Sequence, residues 1–79
     1  MAVKRFDLRQ VPAFDSEDPA EYKYRILDTE TDAYLTKTDG AEYRANMNRG
    51  MIAEYYLNRD CSDSQPDEIR EFISRPVWQ

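Results

Sequence analysis

Residues 22–38, YKYRILDTETDAYLTKT, decide the fold. Tyr22, Tyr24 and Ile26 alternate with Lys23, Arg25 and Leu27, and a period of two belongs to a strand with two unlike faces. The DTETD at 28–32 is turn chemistry, because Asp and Thr side chains bond their own backbone. AYLTKT at 33–38 reads as the return strand, with Tyr34 and Leu35 as its large apolar groups. The stretch is expected to form a β-hairpin with a loop of about five residues.

On the N-terminal side, VKRFDLRQV at 3–11 places Phe6 and Leu8 two apart among charges, which suggests a first strand with one buried face. Between the strands, PAFDSEDPAE at 12–21 contains Pro12 and Pro19, which fix the backbone and remove two donors, so a loop is expected there with Phe14 pinning it. On the C-terminal side, Asp39 with Glu42 three residues on forms a capping-box pattern, and a helix is expected from there to about Arg59. Met47, Met51 and Tyr55, flanked by Ile52 and Tyr56, make its apolar stripe. Gly50 lies inside that helix at a cost of about 1 kcal/mol relative to Ala. One continuous helix is the favoured arrangement, with a break at Gly50 as its alternative. DCSDSQP at 60–66 is a polar connector, Ser64 and Asp67 offer a second cap, and DEIREFIS carries Ile69, Phe72 and Ile73 on one helical face before Pro76 ends it. Val77 and Trp78 follow as large apolar groups. The expected architecture is α+β, a three-stranded antiparallel sheet with two helices packed on one face, in a single small domain spanning 1–79. The other sheet face is left to solvent or to a partner.

Composition narrows the function. The 79 residues hold one modest core and little room for a deep substrate pocket. There are 0 His and 1 Cys, so no Ser-His-Asp or Cys-His arrangement and no CxxC or HExxH zinc site can be assembled. With only 2 Gly, no phosphate-cradling P-loop or GxGxxG turn exists. The chain is therefore expected not to be an enzyme and to need no cofactor. No apolar run approaches the length of a membrane span, and MAVKRFDLRQ lacks the apolar core of a signal peptide. The single Cys61 excludes an internal disulfide and fits the cytoplasm. A net charge of -5 disfavours direct contact with nucleic acid, but it would draw the protein to a basic protein surface.

Asp28, Glu30 and Asp32 alternate as calcium ligands do, but the required glycine is replaced by Ala33 and the later glutamate by Asp39, so an exposed acidic turn is expected and no metal. Cys61 lies among Asp60 and Asp63, which disfavours a reactive thiolate. The six tyrosines divide between core and interface. Acidic charge concentrates in 12–32 and again at Asp60, Asp63, Asp67, Glu68 and Glu71. An ordinary solubilising surface would account for both runs, and the first-turn acids of the last helix also suit its dipole. Side by side, the two runs would form one anionic surface.

In size, acidity, missing catalytic residues and α+β outline, the chain resembles the small acidic phage inhibitors of the anti-CRISPR and nucleic-acid-mimic type. The resemblance is one of overall format and transfers no residue. It implies a non-catalytic inhibitor, acting in the host cytoplasm, that blocks the nucleic-acid-binding groove of a CRISPR effector complex. The expected partner contacts are Asp15, Glu17, Asp18, Asp28, Glu30 and Asp32, with Tyr22 and Tyr34 as aromatic anchors. The alternative is an accessory or regulatory subunit docked on a larger complex through its exposed sheet face and Val77–Trp78. A DNA-binding regulator using Lys4, Arg5, Arg9, Arg44 and Arg49 is opposed by the net charge.

Overall fold

Two antiparallel pairings build the sheet. Phe6–Gln10 (β1) pairs with Tyr24–Asp28 (β2), Leu8 opposite Ile26, and β2 pairs with Ala33–Tyr34 (β3), Leu27 opposite Tyr34. The computed structural model describes residues 4–11 and 24–79, so the expected loop at 12–21 with Phe14, and Tyr22, lie outside them. Two helices follow, Met47–Asp60 (α1) and Pro66–Ile73 (α2), and a 3-10 turn at Pro76–Trp78 closes the chain. Ala53 and Leu57 of α1 and Ile69, Phe72 and Ile73 of α2 join Phe6 and Ile26 in one buried core. This is the α+β arrangement expected from the hairpin, a three-stranded antiparallel sheet and two helices.

The hairpin loop is one residue shorter than expected, because Asp28 pairs with Ala33 and leaves 29–32 as the connection. Asp32 closes it in the left-handed region at φ 58, a conformation that short polar side chains tolerate. The return strand is brief. After Tyr34 the chain makes a second, irregular excursion through 35–45, bridged at Thr36–Glu42 and returned to β2 by the Tyr24–Ala45 bridge.

That excursion replaces the expected start of the long helix. The Asp39 side chain accepts from Ala41 N at 2.9 Å in a local turn, and Gly40 sits at φ 85, which ends any helical run there. Tyr43 enters the core instead and donates its hydroxyl to Trp78 O at 2.8 Å, and burial pushes its phenol pKa up to about 12. The true cap of α1 is Asn46, whose side chain accepts from Arg49 N at 2.8 Å. α2 is capped by Gln65 in a reciprocal box with Glu68, not by Ser64, with Pro66 in its first turn.

α1 runs unbroken through Gly50, and its buried face is not the expected one. Gly50, Ala53 and Leu57 face the core, while Met47, Met51, Ile52 and Tyr55 are between 49% and 61% exposed. The small residues let the helix backbone close on the sheet. A Cβ at Gly50 would stand 2.8 Å from Leu8 Cδ1, so a larger residue there must turn the leucine methyl aside. Gly50→Val is expected to cost about 1–3 kcal/mol through overpacking, read as a lower urea midpoint.

The same closeness protects the free edge of β1. Asn58 accepts from Phe6 N and donates to Phe6 O, both at 2.9 Å, and Glu54 accepts from Leu8 N. Helix side chains thus satisfy the backbone groups that a neighbouring strand would otherwise bond.

Trp78 is buried at 7% exposure, stacked on Phe72 at 5.3 Å and near Tyr56 at 5.6 Å. It belongs to the core and is not the terminal docking group that the sequence suggested, whereas Val77 is exposed.

Candidate protein-binding face

The organising residue is Arg5, at the entrance to β1. Its guanidinium donates to both carboxylate oxygens of Asp28, Nε to Oδ1 and Nη2 to Oδ2, each at 2.9 Å. Nη1 turns the other way, to the carbonyls of Ser64 at 2.9 Å and Ser62 at 3.1 Å in the connector between the helices. The Arg5 carbonyl accepts from Thr29 N at 2.9 Å and Thr29 Oγ1 at 2.7 Å. One residue therefore fastens the β2–β3 turn to the α1–α2 connector. The pair is buried, with side-chain exposures of 8% for Arg5 and 4% for Asp28.

Burial alone would push the Asp28 carboxyl up. The hydrogen bonds from Arg5 and from the Glu30 backbone outweigh that and hold it below the usual carboxylate range. Asp28 is thus a correction to the expected contact set. It is an internal anchor, since its position on the inward-facing side of β2 places it beside Ile26 in register and not on the turn surface.

Glu30 and Asp32 are exposed on the turn, as expected. Glu30 reaches Arg5 Nε at 3.3 Å with its side chain 68% exposed, and Asp63, exposed in the connector, also bears on the Arg5 charge. Glu30 and Asp63 are therefore neighbours around a single buried cation. Beyond Asp63, a shallow groove of about 340 Å³ runs between the ends of the helices, lined by Asp60, Glu68, Glu71, Phe72 and Arg75 with Cys61 in its wall. Burial pushes the Cys61 thiol up, which keeps it protonated and a poor nucleophile. Among the described residues no cluster of carboxylates, Cys or His is arranged to hold a metal ion, and no helix is long and apolar enough to cross a membrane.

Tyr34 lies elsewhere. It is half-buried on the sheet's outer face, with the Arg25 guanidinium 4.7 Å from its ring centre, opposite Leu27. Glu42 bridges Arg25 at 3.4 Å and Arg44 at 3.0 Å nearby. The outer face is a mixed ionic surface, distinct from the acidic end. Asp15, Glu17, Asp18 and Tyr22 lie outside the described residues.

The part of this face that the sequence did not disclose is Arg5. Nothing in the spacing of Arg5, Asp28 and Ser64 marks them as partners. No family model, curated protein or solved structure matches the chain.

Proposed function

We propose that this protein is a non-catalytic inhibitor that binds another protein through its acidic end, of the kind the phage anti-CRISPR proteins represent. Its target is a basic nucleic-acid-binding groove, such as that of a CRISPR effector complex. The observation that supports this reading is the Arg5 seam, which gathers Glu30 and Asp63 from distant parts of the chain onto one end. The cation that gathers them is buried behind them, so the surface it organises presents carboxylates outward. Rigidly placed carboxylates steer a basic partner and fix its register, and such contacts weaken as salt is added.

The test is charge reversal on the exposed members. Glu30→Lys with Asp63→Lys is expected to weaken capture of the partner at least about tenfold at low salt with the circular dichroism spectrum of the wild type retained, and to lower the thermal midpoint only modestly, because two exposed lysines then face the Arg5 charge that both acids offset. Unchanged capture by the double variant would remove the acidic end from the binding site. The accessory-subunit alternative predicts that outcome, together with salt-resistant apolar binding. Trp78 would not supply its anchor, being part of the core.

A further inference from the structure

We infer that the Asp39–Gly40 bond is a site of spontaneous covalent modification, where the folded chain converts Asp39 to isoaspartate through a cyclic imide, with no enzyme or cofactor. It is the one place in the sequence where an Asp or Asn precedes Gly. Thr38, Asp39, Gly40 and Ala41 are all exposed. Ring closure needs an unhindered amide nitrogen, and a side chain on the following residue is what ordinarily obstructs it. Gly40 has no side chain, and even a Cβ built on it would meet nothing within 4 Å. The asparagines inside α1, Asn48 and Asn58, are instead followed by arginines and held in helical backbone.

The turn also directs the side chain. Asp39 Oδ1 accepts from Ala41 N at 2.9 Å, which folds the carboxyl forward along the chain toward the Gly40 nitrogen. What stands against the reaction is a single contact. Gly40 N donates to Lys37 O at 2.9 Å, at the exposed tip of the turn, and this bond must be released before the nitrogen can attack. The net worth of one such hydrogen bond slows the reaction by no more than about tenfold.

In the first step the Gly40 nitrogen attacks Asp39 Cγ and an N–C bond forms. One carboxyl oxygen leaves as water, carrying the amide proton and a proton taken from solvent. Water then reopens the imide. Addition at the main-chain carbonyl carbon of Asp39 leaves the chain running through Cγ, and the carboxyl set free returns its proton to solvent. The product has the mass of the original chain and one methylene more in its backbone. That extra length falls between Lys37 and Ala41, where Lys37 N donates to Ala41 O at 2.8 Å and Thr36 bridges Glu42. The next residue, Tyr43, is the one this hairpin feeds into the core, so the modified chain melts at a lower temperature.

The experiment is timed incubation of the purified full chain near neutral pH, in buffer and in guanidinium chloride, followed by trypsin and mass spectrometry of the peptide Thr38–Arg44. A second peptide of equal mass and different elution is expected to accumulate in buffer, with fragmentation placing the altered linkage at Asp39. Its rate in the folded chain is expected to fall within about tenfold of the rate in guanidinium chloride. Asp39→Asn is expected to generate the same product faster, with loss of ammonia in place of water, because the amide needs no proton to leave. Asp39→Glu is expected to form none, because its longer side chain closes a less favourable ring, and its circular dichroism should match the wild type since residue 39 is at the surface. Conversion in guanidinium chloride alone overturns the inference, because the folded turn then protects the bond. Equal accumulation at other aspartates overturns it as well.

Discussion

Arg5→Met is expected to destabilise the protein by about 3 kcal/mol at pH 7, the largest loss from any single charged residue described. The variant leaves the Asp28 carboxylate buried without its guanidinium, and a broken buried pair costs far more than an intact one contributes. The Ser62 and Ser64 carbonyls lose their donor at the same time. The Glu30 N–H still donates to Asp28 Oδ1 at 3.0 Å, which keeps the loss toward the lower end of the usual range. For a domain of this size such a loss is a large share of the total stability, and it should appear directly as a lower urea midpoint. Arg5→Met combined with Asp28→Leu should recover much of it, because an apolar pair leaves no charge to desolvate.

The same pair sets an acid dependence with a definite sign. In the wild type, Asp28 is held below its ordinary value, so its contribution is present at neutral pH and is lost as pH falls through the range below about 4. In Arg5→Met only burial and the turn amides act on the carboxyl, and burial raises it. The variant should therefore gain stability relative to wild type on moving from pH 7 to about pH 4.5, as Asp28 takes up a proton in the folded state. Equal losses at the two pH values would show that the arginine acts by packing alone.

Asn58→Ala is the second large effect, expected at about 2–3 kcal/mol. It removes the acceptor for Phe6 N and the donor to Phe6 O together, and both backbone groups are partly buried. Asn58→Asp separates the two halves of the clamp. It keeps the acceptor for Phe6 N and sets a carboxylate against the Phe6 carbonyl, so it should restore little at neutral pH. Amide hydrogen exchange at Phe6 reads the outcome, with faster exchange in the alanine variant than in the aspartate one. Because Asn58 occupies the free edge of β1, the alanine variant should also aggregate more readily during refolding.

The hairpin was legible because alternation at 24–28 and turn chemistry at 29–32 are local signals. The second helix was legible for a similar reason, since Ile69, Phe72 and Ile73 are both apolar and buried on one face. α1 misled because periodicity counts large apolar side chains, and here the buried face is made of small ones. Gly50 and Ala53 carry little hydrophobicity yet bring the helix onto Leu8, while Met47, Met51 and Tyr55 satisfy the pattern and remain outside. The Asp39–Glu42 capping pattern failed because Gly40 bends the chain at positive φ between its two members. At the acidic end, the exposed acids Glu30 and Asp32 were recognisable from turn composition. The burial of Asp28 was not, because it depends on Arg5, which precedes it by 23 residues. Long-range pairing of this kind leaves no periodic trace in a sequence.

The most direct test of the account is capture of partners from host lysate by the tagged protein, washed at low and at moderate salt and identified by mass spectrometry. Binding through the acidic end predicts a nucleic-acid-binding complex that is retained at low salt, released at moderate salt, and missing when Glu30→Lys and Asp63→Lys are present. A partner held equally at both salt concentrations and by both proteins would contradict it.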